Sequence, residues 1–192
     1  MTAFDPSSAA LHDGIFGLPF TPAEARVVLV PVPWEATVSY GSGTADGPAA
    51  ILKASRQVDL LDRETGRPYE AGIAMLEIPG EVRTWSDEAR GKAAPVIQSG
   101  GPGDDAALKR AVEEVDALGD RMNRWVYDHV RRLLEDGKLV GVVGGDHSVP
   151  YGAIRAVAEK HPGLGVLHFD AHADLRRAYE GFRRSRWHRS AP

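Results

Sequence analysis

Residues 139–174 constrain the fold more than any other stretch. They read LVGVVGGDHSVPYGAIRAVAEKHPGLGVLHFDAHAD. Two short apolar runs, Leu139 to Val143 and Leu164 to Phe169, each have the length and content of a buried strand. Between them, Pro150 to Lys160 has a helix-opening proline and helical content. Strand, helix, strand predicts a βαβ unit in a parallel sheet, and such sheets place their sites at the carboxyl ends of the strands. Both runs end in clusters of ligand-type residues: Gly144-Gly145-Asp146-His147-Ser148 and Asp170-Ala171-His172-Ala173-Asp174. Two strands would therefore deliver their side chains to one rim.

The residue types indicate a metal. Asp170, His172 and Asp174 alternate, so in extended backbone all three face one side. His147 adds an imidazole from the other strand. Carboxylates mixed with imidazoles, without thiolate, suit Mn, Fe, Ni or Zn. The acidic balance leans towards Mn²⁺. Adjacent carboxylates also need positive charge between them. Ordinary turn residues are the plainer reading, but five ligand-type residues at two strand ends favour a metal site.

GGDHS followed by DAHAD resembles the ureohydrolases, the arginase and agmatinase family, and the resemblance runs from about Gly14 to Phe182. It implies a three-layer αβα fold around a parallel sheet, here incomplete. It also implies a pair of Mn²⁺ ions and hydrolysis of a guanidino group to an amine and urea. On that match His147, Asp170, His172 and Asp174 are metal ligands. Asp170 bridges the ions and, with His172, serves catalysis; His147 and Asp174 share one ion. Asp146 and His168 stand behind the ligands. Trp34, Glu35, Tyr40, Ser42 and Glu180 are candidates for substrate contact. The substrate is expected to be a small guanidino or amidino compound. The PVPWE segment and Tyr179-Glu180-Gly181-Phe182 look more like agmatinases than arginases. Intact relatives are homo-oligomers.

The departures matter as much. The family supplies two more aspartates from a later Ser-x-Asp-x-Asp-x-x-Asp-Pro motif, absent through Pro192. The expectation is the front part of a ureohydrolase domain, residues 1–182, with about four of eight strands and four of six ligands. Weak metal binding, marginal folding and little catalysis would follow, leaving a non-catalytic fragment or regulatory module as the alternative. In the family, Tyr-Glu-Gly-Phe leads to Ser-His, but here Ser185 precedes Arg186. Residues 176–192 hold six arginines against one acid, Glu180. Such a basic tail could bind an acidic partner; the abrupt shift favours residues 183–192 being out of frame or disordered.

Elsewhere the chain is ordinary. Net charge is −4, so the acidic body does not suggest nucleic acid. There is no cysteine, which rules out disulfides and thiolate metal sites. No signal-peptide pattern or membrane-length apolar run is visible, and a cytoplasmic protein is expected. Arg26 to Pro31 predicts a strand covered on both faces. Pro48 to Asp62 predicts a helix, with Ile51, Leu52, Val58 and Leu61 at helical spacing. Thr37 to Gly47 lacks the phosphate-binding spacings and reads as a loop. Gly72 to Ile78 predicts a short edge strand. Pro79 to Gly103 reads as a polar connection. Asp104 to Asp136 has the clearest helical pattern, with an aspartate cap and Gly137 as its stop.

Overall fold

The computed structural model describes residues 12–38, 41–172 and 178–183. The run of β-branched residues after Arg26 forms β1, Val27–Val32. It is the centre of a three-stranded sheet in the order β2-β1-β3, with β2 at Ile73–Met75 and β3 at Leu139–Gly144. Both pairings are parallel, with Val27 opposite Ile73 on one side and Leu139 on the other. Parallel neighbours need crossover connections, so helices flank the sheet. They are α1 at Gly47–Ala54, α2 at Gly80–Gln98, α3 at Ala106–Glu135 and α4 at Pro150–Lys160. This is the α/β architecture expected.

The core lies where β1 meets the helices. Val30 and Val32 share one face of the strand and pack with Val82, Ala89 and Val96 of α2 and Met122, Val126 and Val130 of α3. Helix α3 buries Val115, Gly119, Met122, Val126 and Val130, three or four residues apart, so one stripe faces inward. The Asp105 carboxylate accepts from the Ala107 and Leu108 N–H groups and caps the helix. Helix α4 crosses α3 at Gly152, where a β-carbon would lie 2.2 Å from the Asn123 carbonyl oxygen. The Gly152 N–H donates to Asn123 Oδ1 at 3.2 Å, which locks the crossing. Beyond α4, Tyr179 and Phe182 pair in a tight turn. Phe182 is buried in the core, and the Arg183 Nε donates to the buried Asp116 carboxylate at 3.0 Å.

Three expectations need correction. Residues 79–103 are not a plain connection, because α2 occupies Gly80–Gln98. Its inward stripe is Val82, Ser86, Ala89, Ala93 and Val96, small residues that give helical spacing with little hydrophobic contrast. The helix expected to reach Asp62 stops at Ala54 and is followed by a 3-10 turn, Ser55–Gln57, with Ile51, Val58 and Leu61 exposed. The run Leu164 to Phe169 forms no strand, and Phe169 is 87% exposed. An apolar run becomes a strand only when a neighbour takes its backbone hydrogen bonds. No described strand pairs with this one, so the described sheet has three strands, not four. The expected tail after Arg183 lies outside the described residues.

Candidate metal centre

Parallel pairing puts the carboxyl ends of β1 and β3 side by side, and their two loops are tied together by backbone. The Asp146 N–H donates to the Trp34 carbonyl at 2.8 Å. A β-carbon on Gly145 would stand 2.1 Å from that carbonyl oxygen, so glycine is what lets the strand ends approach. The Asp146 carboxylate is buried and makes the second tie. Its Oδ2 accepts from the Ala36 N–H at 3.2 Å, and its Oδ1 accepts from the Ser148 N–H at 2.9 Å and hydroxyl at 2.5 Å. Burial pushes this carboxyl above its ordinary range, while the donors from Ser148, Ala36 and Thr37 pull the other way. His147 sits between these anchored residues, so its backbone position is fixed from both sides.

The imidazole of His147 meets the chain that follows α4. Its Nδ1 lies 3.5 Å from Asp170 Oδ2, and His168 Nε2 lies 3.9 Å from the same oxygen. The two imidazole centres are 5.4 Å apart. One ligand atom from each of His147, His168 and Asp170 lies within 4.8 Å of the others, the one such group among the described residues. Donors to one ion at about 2.1 Å are themselves roughly 3–4 Å apart, so this cluster fits a divalent metal after a small closure. Asp170 Oδ1 faces elsewhere: it accepts the His172 N–H at 2.7 Å and lies 3.4 Å from His172 Nδ1. That N–H bond holds the Asp170 carboxyl below its usual range; partial burial opposes it, and the three nearby histidines reinforce it. A cleft of about 300 Å³ opens beside His147, lined by Val142, Gly144, Gly145, Val149 and Pro150.

A sequence profile of the Arginase family matches residues 25–191. The chain belongs to the arginase family. It is 32% identical over 163 residues to the N(1)-aminopropylagmatine ureohydrolase of Synechocystis sp., covering 83% of this chain and 44% of that protein. Identity to a Thermus thermophilus enzyme of the same name is also 32%, over 87% of this chain and 46% of the relative. A crystal structure of a proposed agmatinase from Clostridium difficile superposes with a TM-score of 0.55 and 19% identity. That match covers 86% of this chain and 49% of the other. The chain thus spans less than half the length of these curated relatives.

The residues expected to serve an arginase-family site are placed unequally. His147, Asp170 and His172 come together, with His168 beside them. Asp146 contacts backbone, tying the two loops. Asp174 and Tyr40 lie outside the described residues. Trp34 is 1% exposed and belongs to the core. Ser42 is exposed on the loop before α1, and Glu180 sits on the turn beside Gly101, which leads into α3. Glu35 is buried and holds a loop: its Oε2 accepts from the Gly43 N–H at 2.6 Å, the Ala45 N–H at 2.9 Å and the Thr44 hydroxyl at 3.1 Å. Burial pushes the Glu35 carboxyl up, but these donors and the charge of Arg90 outweigh it and hold it below the usual range. Sequence reasoning missed Ser86, whose hydroxyl accepts the Glu35 N–H at 2.9 Å, and Ser148, which anchors Asp146.

Proposed function

We propose that this chain carries the metal-binding rim of a manganese-dependent hydrolase of guanidino compounds, of the agmatinase type that releases urea. The observation that carries the reading is the gathering of His147, His168 and Asp170 ligand atoms within 4.8 Å at the carboxyl end of β3. The arginase-family match and the names of the relatives supply the substrate class, a linear guanidino or amidino compound such as agmatine.

His147 and Asp170 would hold the ion, with His172 on the far oxygen of Asp170 and Asp174 as a further carboxylate. Bound manganese would supply Lewis acidity and a water acidified towards neutral pH. The protein's own contribution is placement and charge. The buried Asp146 fixes the backbone around His147, and Glu35 fixes residues 43–45 on the neighbouring loop. The carboxylates of Asp170 and Asp174 favour a cationic guanidinium. His172, exposed beside Asp170, would hold or pass a proton to a leaving amine. The cytoplasm is the compartment this reading proposes; no described helix is long and apolar enough to cross a membrane. Intact relatives' homo-oligomeric assembly is the expected quaternary state.

A second reading is metal binding without turnover. It is favoured by the Oδ1 side of Asp170, where His172 is the one ligand-type side chain recorded among the described residues. Manganese content and urea release from agmatine, measured on the full chain after gel filtration in Mn²⁺, separate the two. Turnover abolished by Asp170→Ala supports the hydrolase. Bound manganese with no urea release supports the second reading, and no bound manganese sinks both.

A further inference from the structure

The two edges of the described sheet are finished differently. At one edge, β2 is three residues long and is followed by Glu77 and Pro79. A short strand with a charge and a proline behind it is a protected edge. At the other edge, β3 is six residues long and holds neither a charge nor a proline. Parallel strands are ordinarily covered on both sides. Yet β3 is at best half-buried along its length, while its neighbour β1 is mostly buried. The Leu139 and Gly145 N–H groups donate across to the Arg26 and Val32 carbonyls. Successive N–H groups of a paired strand turn to opposite sides, so those of Val140 and Val142 face the open edge.

The chain also carries a strand-like run with no strand to pair with. Residues 164–169, LGVLHF, follow α4 and join none of the described strands. Leu164, Val166, Leu167 and Phe169 all stand exposed within these six residues. A continuous apolar patch of this kind marks an association surface. We propose that two copies of this chain associate through these elements, the open edge of β3 in each copy receiving residues 164–169 of the other. A second copy is the occupant because each chain brings one vacant edge and one unused strand. A two-fold pair fills both vacancies in both copies, so the contact closes on itself. An unlike partner strand on β3 would leave the 164–169 run exposed. Main-chain hydrogen bonds give such an added strand its affinity, and its alternate side chains give the specificity. No metal takes part, so the pairing stands apart from the hydrolase reading.

Sedimentation velocity of the full chain in chelator, over a range of concentrations, should show a monomer–dimer equilibrium. Leu167→Lys and Leu139→Lys change side chains that are 79% and 64% exposed in the single copy, so its fold does not depend on them. Each should weaken the dimer by about tenfold or more, because burying a leucine is worth that much and a lysine cannot replace it. Ile51→Lys, on the exposed face of α1, should leave the dimer unchanged. Amide hydrogen exchange on the parent chain gives a measure free of any variant: Val140 and Val142 should be protected in the dimer and lose that protection on dilution. A chain that stays monomeric overturns the proposal. So does a dimer that both lysine substitutions at the contact leave intact, or one in which the Val140 and Val142 amides exchange freely. Growth beyond the dimer into open-ended assemblies also overturns it, since the contact would then not close.

Discussion

Asp146→Asn isolates the tie between the two strand ends. The carboxylate faces donors on both sides: Ser148 N–H and hydroxyl at Oδ1, and Ala36 N–H, with Thr37, on the other side. An asparagine keeps the shape but turns one end into a donor. Aimed at Ser148, the new amide meets an N–H that cannot rotate away. Aimed at Ala36, it meets backbone N–H groups and leaves them buried without an acceptor. The second choice is cheaper because the Ser148 hydroxyl can still donate to the remaining oxygen. Each orphaned buried donor costs about 1–3 kcal/mol. Against this, the neutral amide escapes the desolvation that pushes the Asp146 carboxyl up. The net expectation is a loss of about 2 kcal/mol for Asp146→Asn, and about 3–5 kcal/mol for Asp146→Ala, where the acceptor is removed outright. Urea unfolding followed by circular dichroism measures it. With a slope near 2 kcal/mol/M, the Asn midpoint should fall by about 1 M. His147 shares the loop, so Mn²⁺ affinity should drop in the same variants. An Asp146→Asn protein as stable as the parent, or more so, would refute the reasoning: the buried charge would then be a net liability and the donors incidental.

Glu35→Gln should destabilise by about 1–2 kcal/mol at neutral pH, because three hydrogen bonds lose their charge assistance. The sign with pH follows from the lowered folded carboxyl: the advantage of the parent is full above about pH 4.3 and is lost as pH falls through the folded value, so unfolding curves of the two proteins should converge in acid. Gly152→Ala puts a β-carbon 2.2 Å from the Asn123 carbonyl oxygen and 2.9 Å from the Tyr127 nitrogen, both backbone atoms that cannot swing aside. Overpacking at this helix crossing should cost about 3 kcal/mol, read as a melting point lower by roughly 6–12 °C. Mn²⁺ at a hundredfold excess over its dissociation constant should add about 2.7 kcal/mol of stability if it binds only the folded chain. Chelator should remove that increment, and His147→Ala should show at most about half of it.

The sheet was legible because its signal was strong and local. Val27–Val32 and Leu139–Gly144 are short apolar runs bounded by Pro and Gly, and both became strands. Helix α3 was legible from its stripe and its Asp105 cap. Helix α2 was hidden because Ser86, Ala89 and Ala93 are inward-facing without being strongly apolar. They are small because α2 packs closely, and a hydropathy pattern does not register closeness. The run Leu164–Phe169 failed for the opposite reason: its composition is right, but strand formation is a property of pairs, and composition describes one member.

The same distinction explains the site. Ligand types and their alternation are written in the sequence, so His147, Asp170 and His172 could be singled out as candidate ligands before any coordinates. Which oxygen of Asp170 each histidine meets depends on how the chain after α4 returns to the rim, and alternation alone does not fix that return. In the structure the Asp170–His172 contact is made by a local bend, closed by the His172 N–H, while His168 reaches back to His147. The bend turns one carboxylate into a divider between a sheltered imidazole pair and an exposed single imidazole.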